Sequence, residues 1–549
     1  MRGPLAHAPR RLFFGVWLAL SSLVFPASAQ EQLPADLELA LRALQDNERE
    51  RLTRQIGSVE ELPFYRAELK VDLAEKIVTG TLRIRYAVRL RSVHGLWLYV
   101  QANAADGTHV ELSQAVRDNK AAIVEQPSPT LYRVTLNPPV AATQSVDVEL
   151  QLRAPLPDAE GGPYGYSEQL ISLAGLLPVV CTDTEQSELV DESNGVGEGL
   201  PRRVGNWLIS VQVPAGWKAF GPQETVGEVP AADSGTRYVF TGAAARDFPL
   251  VLTRGYQTLT MQVGNVTLES HFLPADARAG GEVLRHAAAA LAEFEKRLGP
   301  LPWRRLKVVS MPLNNGHQGF GFSGLMPLPR SLYTGPVDPL VALGVSDVSI
   351  PPLLREEWSD IGPASRYTLA FAAAHQVAHQ YFGALVGNDV YETPVVDEAL
   401  AQAMALRFLE WKHGRKHAEA MKKAQWVRIY QLFRWGGGND DAANRPSSQF
   451  DSSLEYTALT FGKAPFLYDE ARKRMGDGAL GRALKRYVDD YAHLQASADT
   501  LLQMLSAEAP AQARALEQLQ TRFWNQAHGD EDLDPAKMNP PAPSSTQRK

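Results

Sequence analysis

The feature that most constrains the fold is a change in the spacing of apolar residues along the chain. Between about Tyr65 and Gly264, apolar and polar residues alternate in short runs that Gly, Pro, Asn and Asp separate. Alternation of this kind is typical of strands with one buried face. Beyond Pro274 the apolar residues recur at helical spacing up to Gln526. The sequence therefore predicts an α+β chain, with an N-terminal antiparallel β domain followed by a mainly α domain.

The same patterns divide the chain into five segments. A run rich in Leu, Glu, Arg and Gln precedes the first strand and predicts one leading helix. The last residues are rich in proline and polar side chains, with too little apolar surface to order themselves. The predicted segments are a signal peptide over 1–29, a leading helix over 30–59, the β domain over 60–264, the mainly α domain over 265–526 and a disordered tail over 527–549.

The first thirty residues have the composition of an export signal. Arg10 and Arg11 precede an apolar run from Leu12 to Phe25, which is short for a membrane span, and Ala27-Ser28-Ala29 is an A-x-A cleavage site. We therefore expect cleavage after Ala29 and a periplasmic or secreted mature protein. General secretion and twin-arginine export both remain open, because two arginines fit either kind of signal.

Charge and cysteine content limit the partners and the cross-links of the chain. The formal net charge is -7 and no block of Lys and Arg occurs, whereas nucleic-acid recognition normally uses clustered basic residues. We therefore expect no nucleic-acid partner. Cys181 is the only cysteine, so an intramolecular disulfide is excluded. Beyond the signal, no segment is apolar enough to predict a transmembrane helix in the mature chain.

Two histidines in the segment AAAHQVAHQYFG have the spacing of two ligands of one metal ion. His375 and His379 are four residues apart in a helical pattern, so both imidazoles project from one face of a helix. Glu398 follows His379 after eighteen intervening residues, at the start of another helical pattern. Two imidazoles and one carboxylate leave a tetrahedral zinc ion with one open position. We therefore predict that these three residues bind one zinc ion; the alternative is a pair of unrelated histidines beside an unrelated glutamate.

The segments HQVAHQYFG and VVDEALA together resemble the HExxH-x18-E signature of the aminopeptidase N family, also called membrane alanyl aminopeptidases, which are gluzincin metallopeptidases. The segments VQVPAGW, ARDFPLVL and LGPLPWRRLKVV are similar to other parts of that family. The resemblance covers about Phe64 to Gln526. It implies a saddle-like β domain, a thermolysin-like zinc domain and an aminopeptidase ancestry.

The sequence departs from the family pattern at three positions. Gln376 stands where the family has a glutamate that accepts the proton of the attacking water, and a carboxamide cannot accept it. Phe461 stands where the family has a tyrosine that donates to the oxyanion, and phenylalanine has no donor. If Ser323-Gly324-Leu325 aligns with the family's Trp-Gly-Leu, Gly321 replaces the glutamate that grips the substrate's amino group. The same alignment predicts that Gly324 contacts the substrate.

Three substitutions beside an intact set of ligands favour a zinc-binding pseudopeptidase that binds a peptide or protein partner. The resemblance implies an open cleft for that partner, because the long helical domain of larger relatives is missing from the sequence. The alternative is a zinc-dependent hydrolase with altered chemistry, in which Asp397, Glu392 or a substrate group supplies the base. Asp397 is also explained as a helix cap or as a residue that supports a ligand. An aminopeptidase with residual activity is the third interpretation.

Overall fold

The computed structural model describes residues 29–89, 91–104, 109–158, 162–181, 196–197, 203–231, 234–313, 321–334 and 366–533. The predicted signal peptide, apart from Ala29, and most of the predicted tail lie outside these residues. None of the helices in the described ranges has both the length and the apolar character that a membrane crossing requires.

The first part of the described chain consists of strands. They are β1 (Phe64–Asp72), β2 (Ile77–Ala87), β3 (Val93–Tyr99), β4 (Glu111–Arg117), β5 (Lys120–Ala121), β6 (Val124–Glu125), β7 (Leu131–Val140), β8 (Ser145–Pro155), β9 (Tyr164–Tyr166), β10 (Leu170–Leu173), β11 (Val179–Val180), β12 (Gly205–Val213), β13 (Lys218–Phe220), β14 (Glu224–Pro230), β15 (Thr236–Ala245) and β16 (Val251–Thr253). They form one eight-stranded sheet in the order β14-β15-β12-β1-β2-β8-β4-β5 and two four-stranded sheets, β13-β16-β10-β9 and β11-β3-β7-β6.

The predicted antiparallel pairing holds throughout these three sheets except at one strand pair. Strand β12 lies parallel to β1, with Phe64 opposite Asn206. The chain reaches this position after passing through the other two sheets, and a long crossover of this kind permits parallel pairing. Alternation shows only that one face of a strand is buried, so it could not indicate the direction of the neighbouring strand.

A fourth sheet begins the second part of the chain. Its strands are β17 (Gln257–Val263), β18 (Val266–Phe272), β19 (Arg305–Met311) and β20 (Leu325–Pro329). Strands β17 and β18 form an antiparallel hairpin, whereas β18, β19 and β20 are parallel. A domain boundary at 264 would therefore divide the hairpin at its turn, where Gly264 has a φ of 53°. The structural boundary precedes β17. It could not be predicted from the sequence, because the alternation of apolar and polar residues continues through the hairpin.

The helices come mainly from the second part of the chain. They are α1 (Ala29–Leu41), α2 (Glu48–Ile56), α3 (Ala277–Leu298), α4 (Thr368–Tyr381), α5 (Val395–His413), α6 (Arg415–Lys422), α7 (Arg428–Trp435), α8 (Ser453–Tyr456), α9 (Phe466–Tyr491), α10 (Ala498–Glu508), α11 (Ala513–Gln520) and α12 (Gly529–Leu533). Short π-helical segments cover Lys423–Val427, Thr457–Lys463 and Thr521–Asn525. Helix α4 packs against α3, α5 and strand β20, which places it inside the second domain.

The prediction of one leading helix is wrong, because the segment forms two helices, α1 and α2. Between them the chain turns to bond with the segment before β19. Leu44 forms a β-bridge with Trp303, and the backbone N–H of Gln45 donates to the carbonyl of Pro302 at 2.8 Å. Backbone hydrogen bonds to a distant segment have overridden the local helical pattern at this turn.

Candidate metal centre

Helix α4 carries two of the predicted ligands. Its alanine-rich sequence has high helix propensity. The helix ends at Tyr381 because Phe382 is extended and Gly383 has a φ of 107°, a left-handed conformation that favours glycine. His375 and His379 are one turn apart and project towards the start of α5, which carries Glu398.

The structure brings the three predicted ligands together. The Nε2 atoms of His375 and His379 are 3.1 Å apart. The Oε2 atom of Glu398 lies 3.2 Å from the Nε2 atom of His379 and 3.9 Å from that of His375. All three side chains are buried. Within the described ranges, these residues are the only group of three or more His, Cys, Asp or Glu side chains with ligand atoms close enough to share one ion.

The donor atoms fit a zinc ion in both spacing and protonation. Tetrahedral zinc with bonds of about 2.0–2.1 Å to its nitrogen and oxygen ligands separates them by about 3.4 Å. The Nδ1 atom of His379 lies 3.2 Å from the carbonyl oxygen of Phe382, which favours a proton on Nδ1 and a lone pair on Nε2. Burial, with the nearby His379, holds the pKa of His375 well below its usual value. Both imidazoles are therefore suited to bind a cation as neutral ligands.

Asp397 supports the site from the other edge of His379. Its Oδ2 atom lies 3.9 Å from the Nδ1 atom of His379, and its Oδ1 atom accepts a hydrogen bond from the side chain of Asn388 at 2.9 Å. Pro394 is the N-cap residue of α5, so the suggestion that Asp397 caps this helix is wrong. The suggestion that it supports a ligand fits the geometry. Glu392, the other residue considered as a base, is exposed.

Gln376 lies on α4 between the two histidines and is buried. Only 1% of its surface is exposed. Among the described residues, neither the oxygen nor the nitrogen of its carboxamide has a hydrogen-bond partner. A buried polar group without a partner is costly, and such groups commonly bind water, an ion or a ligand. The position next to His375 therefore holds a polar side chain that cannot act as a base.

Phe461 also lies beside the ligands. Its ring centroid is 5.9 Å from that of His375 and 6.0 Å from that of Tyr456. The residue belongs to the π-helical segment Thr457–Lys463, and widened turns of this kind occur frequently at functional sites. The Nζ atom of Lys463 anchors this segment by donating to Asp440 at 2.8 Å. Phenylalanine therefore presents an apolar edge beside His375 and offers no hydrogen-bond donor there.

The loop before β20 packs directly on α4. A Cβ atom at Gly321 would lie 3.3 Å from the Nδ1 atom of His379. The backbone N–H of Gly324 donates to the side chain of Gln380 at 2.8 Å, and Gln380 donates in turn to the carbonyl of Phe322 at 3.1 Å. Contacts of Gly321 and Gly324 with a substrate stay a prediction. The backbone N–H that Gly324 would offer to a substrate is already used by Gln380.

Two further residues position the site and were not among the predicted site residues. Gln380 holds the loop described above, and Arg246 binds the turn that follows α4. The guanidinium group of Arg246 donates to the carbonyl oxygens of Ala384 at 3.0 Å, Leu385 at 3.2 Å and Leu494 at 2.7 Å. The segment ARDFPLVL contains Arg246 and was noted only for its resemblance to the family. The sequence signal for this role is a basic residue in a run that is otherwise mostly apolar, because an arginine is almost never fully buried unless it is paired.

Comparison with known proteins identifies the class of this domain. Residues 363–524 match the peptidase family M1 domain. The fold is similar to the crystal structure of an M1 zinc metallopeptidase from Deinococcus radiodurans, with a TM-score of 0.58 and 16% identity, covering 84% of this chain and 94% of that one. A point mutant of that protein gives a TM-score of 0.59, and the same mutant bound to a Tyr-Ser-Ala substrate gives 0.57. Each mutant structure is 16% identical to this chain and covers 85% of it and 94% of its own length. The comparison with curated protein sequences found no match.

Residues 363–524 therefore match the M1 peptidase domain, and the chain has the overall fold of M1 zinc metallopeptidases. The predicted resemblance to the aminopeptidase N family and the predicted α+β fold are confirmed at that level. Zinc is the metal that the M1 family implies, and His375, His379 and Glu398 form the group that can hold it.

Proposed function

We propose that this protein is an exported, zinc-binding member of the M1 type that does not cleave peptides and instead binds a peptide or protein partner. A bound zinc ion would supply electrophilic activation of a carbonyl group. Peptide hydrolysis also requires a proton acceptor and a donor to the developing oxyanion.

The observation that carries this proposal is the chemistry of the side chains next to the ligands. Gln376 is buried on the ligand-bearing helix and has no group that can accept the proton of water. Phe461 lies against His375 and has no hydrogen-bond donor. Loss of a general base lowers turnover by roughly 10²–10⁴, and loss of an oxyanion donor lowers it by roughly 10²–10³. Either loss alone would leave only a trace of activity.

An altered hydrolase would need another base, and the geometry offers none among the residues considered. Asp397 lies at the Nδ1 edge of His379, whereas the ligand atoms converge at the Nε2 edge. Its other oxygen already accepts a hydrogen bond from Asn388. The altered hydrolase and the residual aminopeptidase are therefore alternatives that an activity assay would test.

The proposed location is the periplasm or the extracellular space, on the basis of the signal in residues 1–29. N-terminal sequencing of the protein recovered from a secreted or periplasmic fraction should begin at Gln30. A cytoplasmic protein that retains Arg10 and Arg11 would contradict this part of the proposal.

Metal analysis and hydrolysis assays on one preparation test the proposed function. Purified mature protein should contain about one zinc per chain, because three suitable donors hold the ion without Gln376. His375→Ala should remove it, whereas His94→Ala, at an exposed position, should not. The same wild-type preparation should leave aminoacyl substrates uncleaved. An empty site after growth with excess zinc, or hydrolysis that chelators abolish, would overturn the proposal.

A further inference from the structure

The carboxamide of Gln376 is the starting point for identifying a ligand. The side chain is 99% buried, since its exposed fraction is 1%, and within the described ranges both of its polar atoms lack a partner. Residues three apart on a helix are neighbours, so Gln376 lies on the same face as His379. An amide nitrogen at this position can donate a hydrogen bond to a group held at the metal centre.

The charges around the centre favour an anionic ligand. Among the described residues, Glu398 is the one carboxylate with an oxygen close enough to the histidine Nε2 atoms to share a metal ion with them. Asp397 lies at the opposite edge of His379 and is bonded to Asn388. A zinc ion with one carboxylate and two neutral imidazoles therefore carries a net charge of about +1. A net charge in a buried site is costly, and an anion would offset it.

Among the described residues, uncharged groups flank the ligands on two sides. Phe461 and Tyr456 form an aromatic wall beside His375, with successive ring centroids 5.9 Å and 6.0 Å apart. Gly321 lies against His379 and offers no side chain. A ligand that combines an anionic group with an apolar side chain would match both the charge and the wall.

We propose that the site binds a carboxylate, with the C-terminal carboxylate of a peptide as the best match. The negative charge of the carboxylate balances the net positive charge of the zinc ion with its three ligands. One carboxylate oxygen accepts a hydrogen bond from the Nε2 atom of Gln376. An adjacent apolar side chain packs against Phe461 and Tyr456. This inference rests on the proposed function, because it requires a ligand that remains bound and intact. A glutamate in place of Gln376 would repel the same ligand.

Calorimetric titration of the zinc-loaded protein tests this inference with matched small ligands. N-acetylphenylalanine carries the carboxylate and an aromatic side chain, and N-acetylphenylalaninamide keeps the side chain but replaces the carboxylate by a neutral carboxamide. The acid should bind at least about tenfold more tightly than the amide, which corresponds to about 1.4 kcal/mol. The α-amide of N-acetylaspartate carries only a side-chain carboxylate and distinguishes that source from a chain terminus.

Variants separate the role of Gln376 from a general effect of charge. Gln376→Glu should weaken binding of N-acetylphenylalanine at least about tenfold while zinc content, measured by mass spectrometry, stays unchanged. Gln449→Glu introduces the same charge at an exposed position next to Phe450, where water screens it, and should leave the affinity unchanged. Gln376→Met keeps a similar size without the donor and should also weaken binding.

The outcomes distinguish this inference from the proposed function. Equal or tighter binding of the amide, or of phenylalaninamide with its free amino group, would overturn the carboxylate inference and leave a zinc-binding, non-hydrolysing protein. Absence of measurable binding by N-acetylphenylalanine at millimolar concentration would also overturn it. Chelator-sensitive hydrolysis of peptide substrates would instead overturn the proposed function, whichever ligand binds.

Discussion

Gly321 is in direct contact with a metal ligand, and its substitution should therefore affect metal binding. A Cβ atom at this position would lie 3.3 Å from the Nδ1 atom of His379, which is closer than most Cβ contacts, and 3.4 Å from the Cγ atom, which is an ordinary contact. A glutamate there, which the family resemblance would suggest for gripping a substrate amine, would add a longer, charged side chain beside the same imidazole. We expect Gly321→Ala to weaken zinc binding modestly and Gly321→Glu to weaken it more strongly.

Competition with a fluorescent zinc chelator would measure these affinities. Gly481→Ala serves as a matched control, because no atom lies within 4 Å of a Cβ atom built there. The control should bind zinc as tightly as the wild type. If Gly321→Glu retained wild-type affinity, the loop before β20 would have to move freely relative to α4.

Glu295 should make stability depend on pH. Burial raises the pKa of this carboxyl group from 4.5 to about 7. The native state therefore binds more protons than the unfolded state between pH 4.5 and 7, so stability falls as the pH rises through this window. The full penalty of holding the charged form is present above pH 7 and absent below pH 4.5. Glu295→Gln removes the charge and should raise the melting temperature at pH 8.

Thermal unfolding at pH 8 and pH 5 would measure this effect. The gain from Glu295→Gln should be larger at pH 8 than at pH 5. Because Glu295 is only half-buried, solvent reduces the gain below the value that the pKa shift alone implies. Glu50→Gln, at an exposed site on α2, should show no comparable difference. An equal gain at both pH values would indicate that the substitution acts through packing instead of charge.

At the level of secondary structure, the turn after α4 depends on Arg246. Its guanidinium group donates to three carbonyl oxygens from two segments of chain, as described above. In Arg246→Met the carbonyl of Ala384 would lose its donor, whereas those of Leu385 and Leu494 would keep the backbone N–H groups of His493 and Gly387. An unsatisfied buried carbonyl costs about 1–3 kcal/mol. We expect Arg246→Met to lower the free energy of unfolding by about 1–3 kcal/mol, measured by urea denaturation.

Zinc affinity should fall in the same variant, because this turn follows directly from the helix that carries His379. Arg254→Met is the control, since Arg254 is exposed, and it should change stability by less than about 0.5 kcal/mol. If Arg246→Met were as stable as the wild type, water would have to satisfy the carbonyl oxygen of Ala384.

The elements that escaped the sequence analysis all depend on contacts between distant segments. Leu44 and Gln45 leave the helical path to bond with the segment before β19. The π-helical turn that carries Phe461 is packed around Gly462, where a Cβ atom would lie 2.9 Å from both Ile429 and the carbonyl of Trp426. Local propensity contains no information about such partners, so the pattern predicted ordinary helix in both places.

At the level of the whole molecule, buried polar contacts join the β domain to the mixed sheet of the second domain. The Nζ atom of Lys307 on β19 donates to the carbonyl oxygens of Gly221 at 2.6 Å and Gln223 at 2.7 Å. Burial lowers the pKa of Lys307 to about 8. The indole N–H of Trp303 donates to the carbonyl of Ala243 at 3.0 Å. These contacts satisfy buried groups on both sides, so the two parts share an interior.

The order of domains and the metal ligands could be predicted, because both appear in the sequence as a regular spacing of residues. The alternating strands and the i, i+4 histidines follow from backbone geometry alone. The chain direction of β12, the boundary before β17 and the ligand supports Arg246 and Gln380 could not be predicted in this way. Each is determined by a partner far away in sequence, and one sequence does not reveal which distant residues meet.

The central claim is that the domain holds zinc but lacks the side chains for hydrolysis. The most direct test is the rate of aminoacyl fluorogenic substrate cleavage by zinc-loaded wild type and by the double variant Gln376→Glu/Phe461→Tyr. The double variant restores a proton acceptor and an oxyanion donor beside the ligands. We predict that the wild type matches its chelator-treated control and that the double variant cleaves measurably faster. Chelator-sensitive cleavage by the wild type, lost in His379→Ala, would contradict the claim.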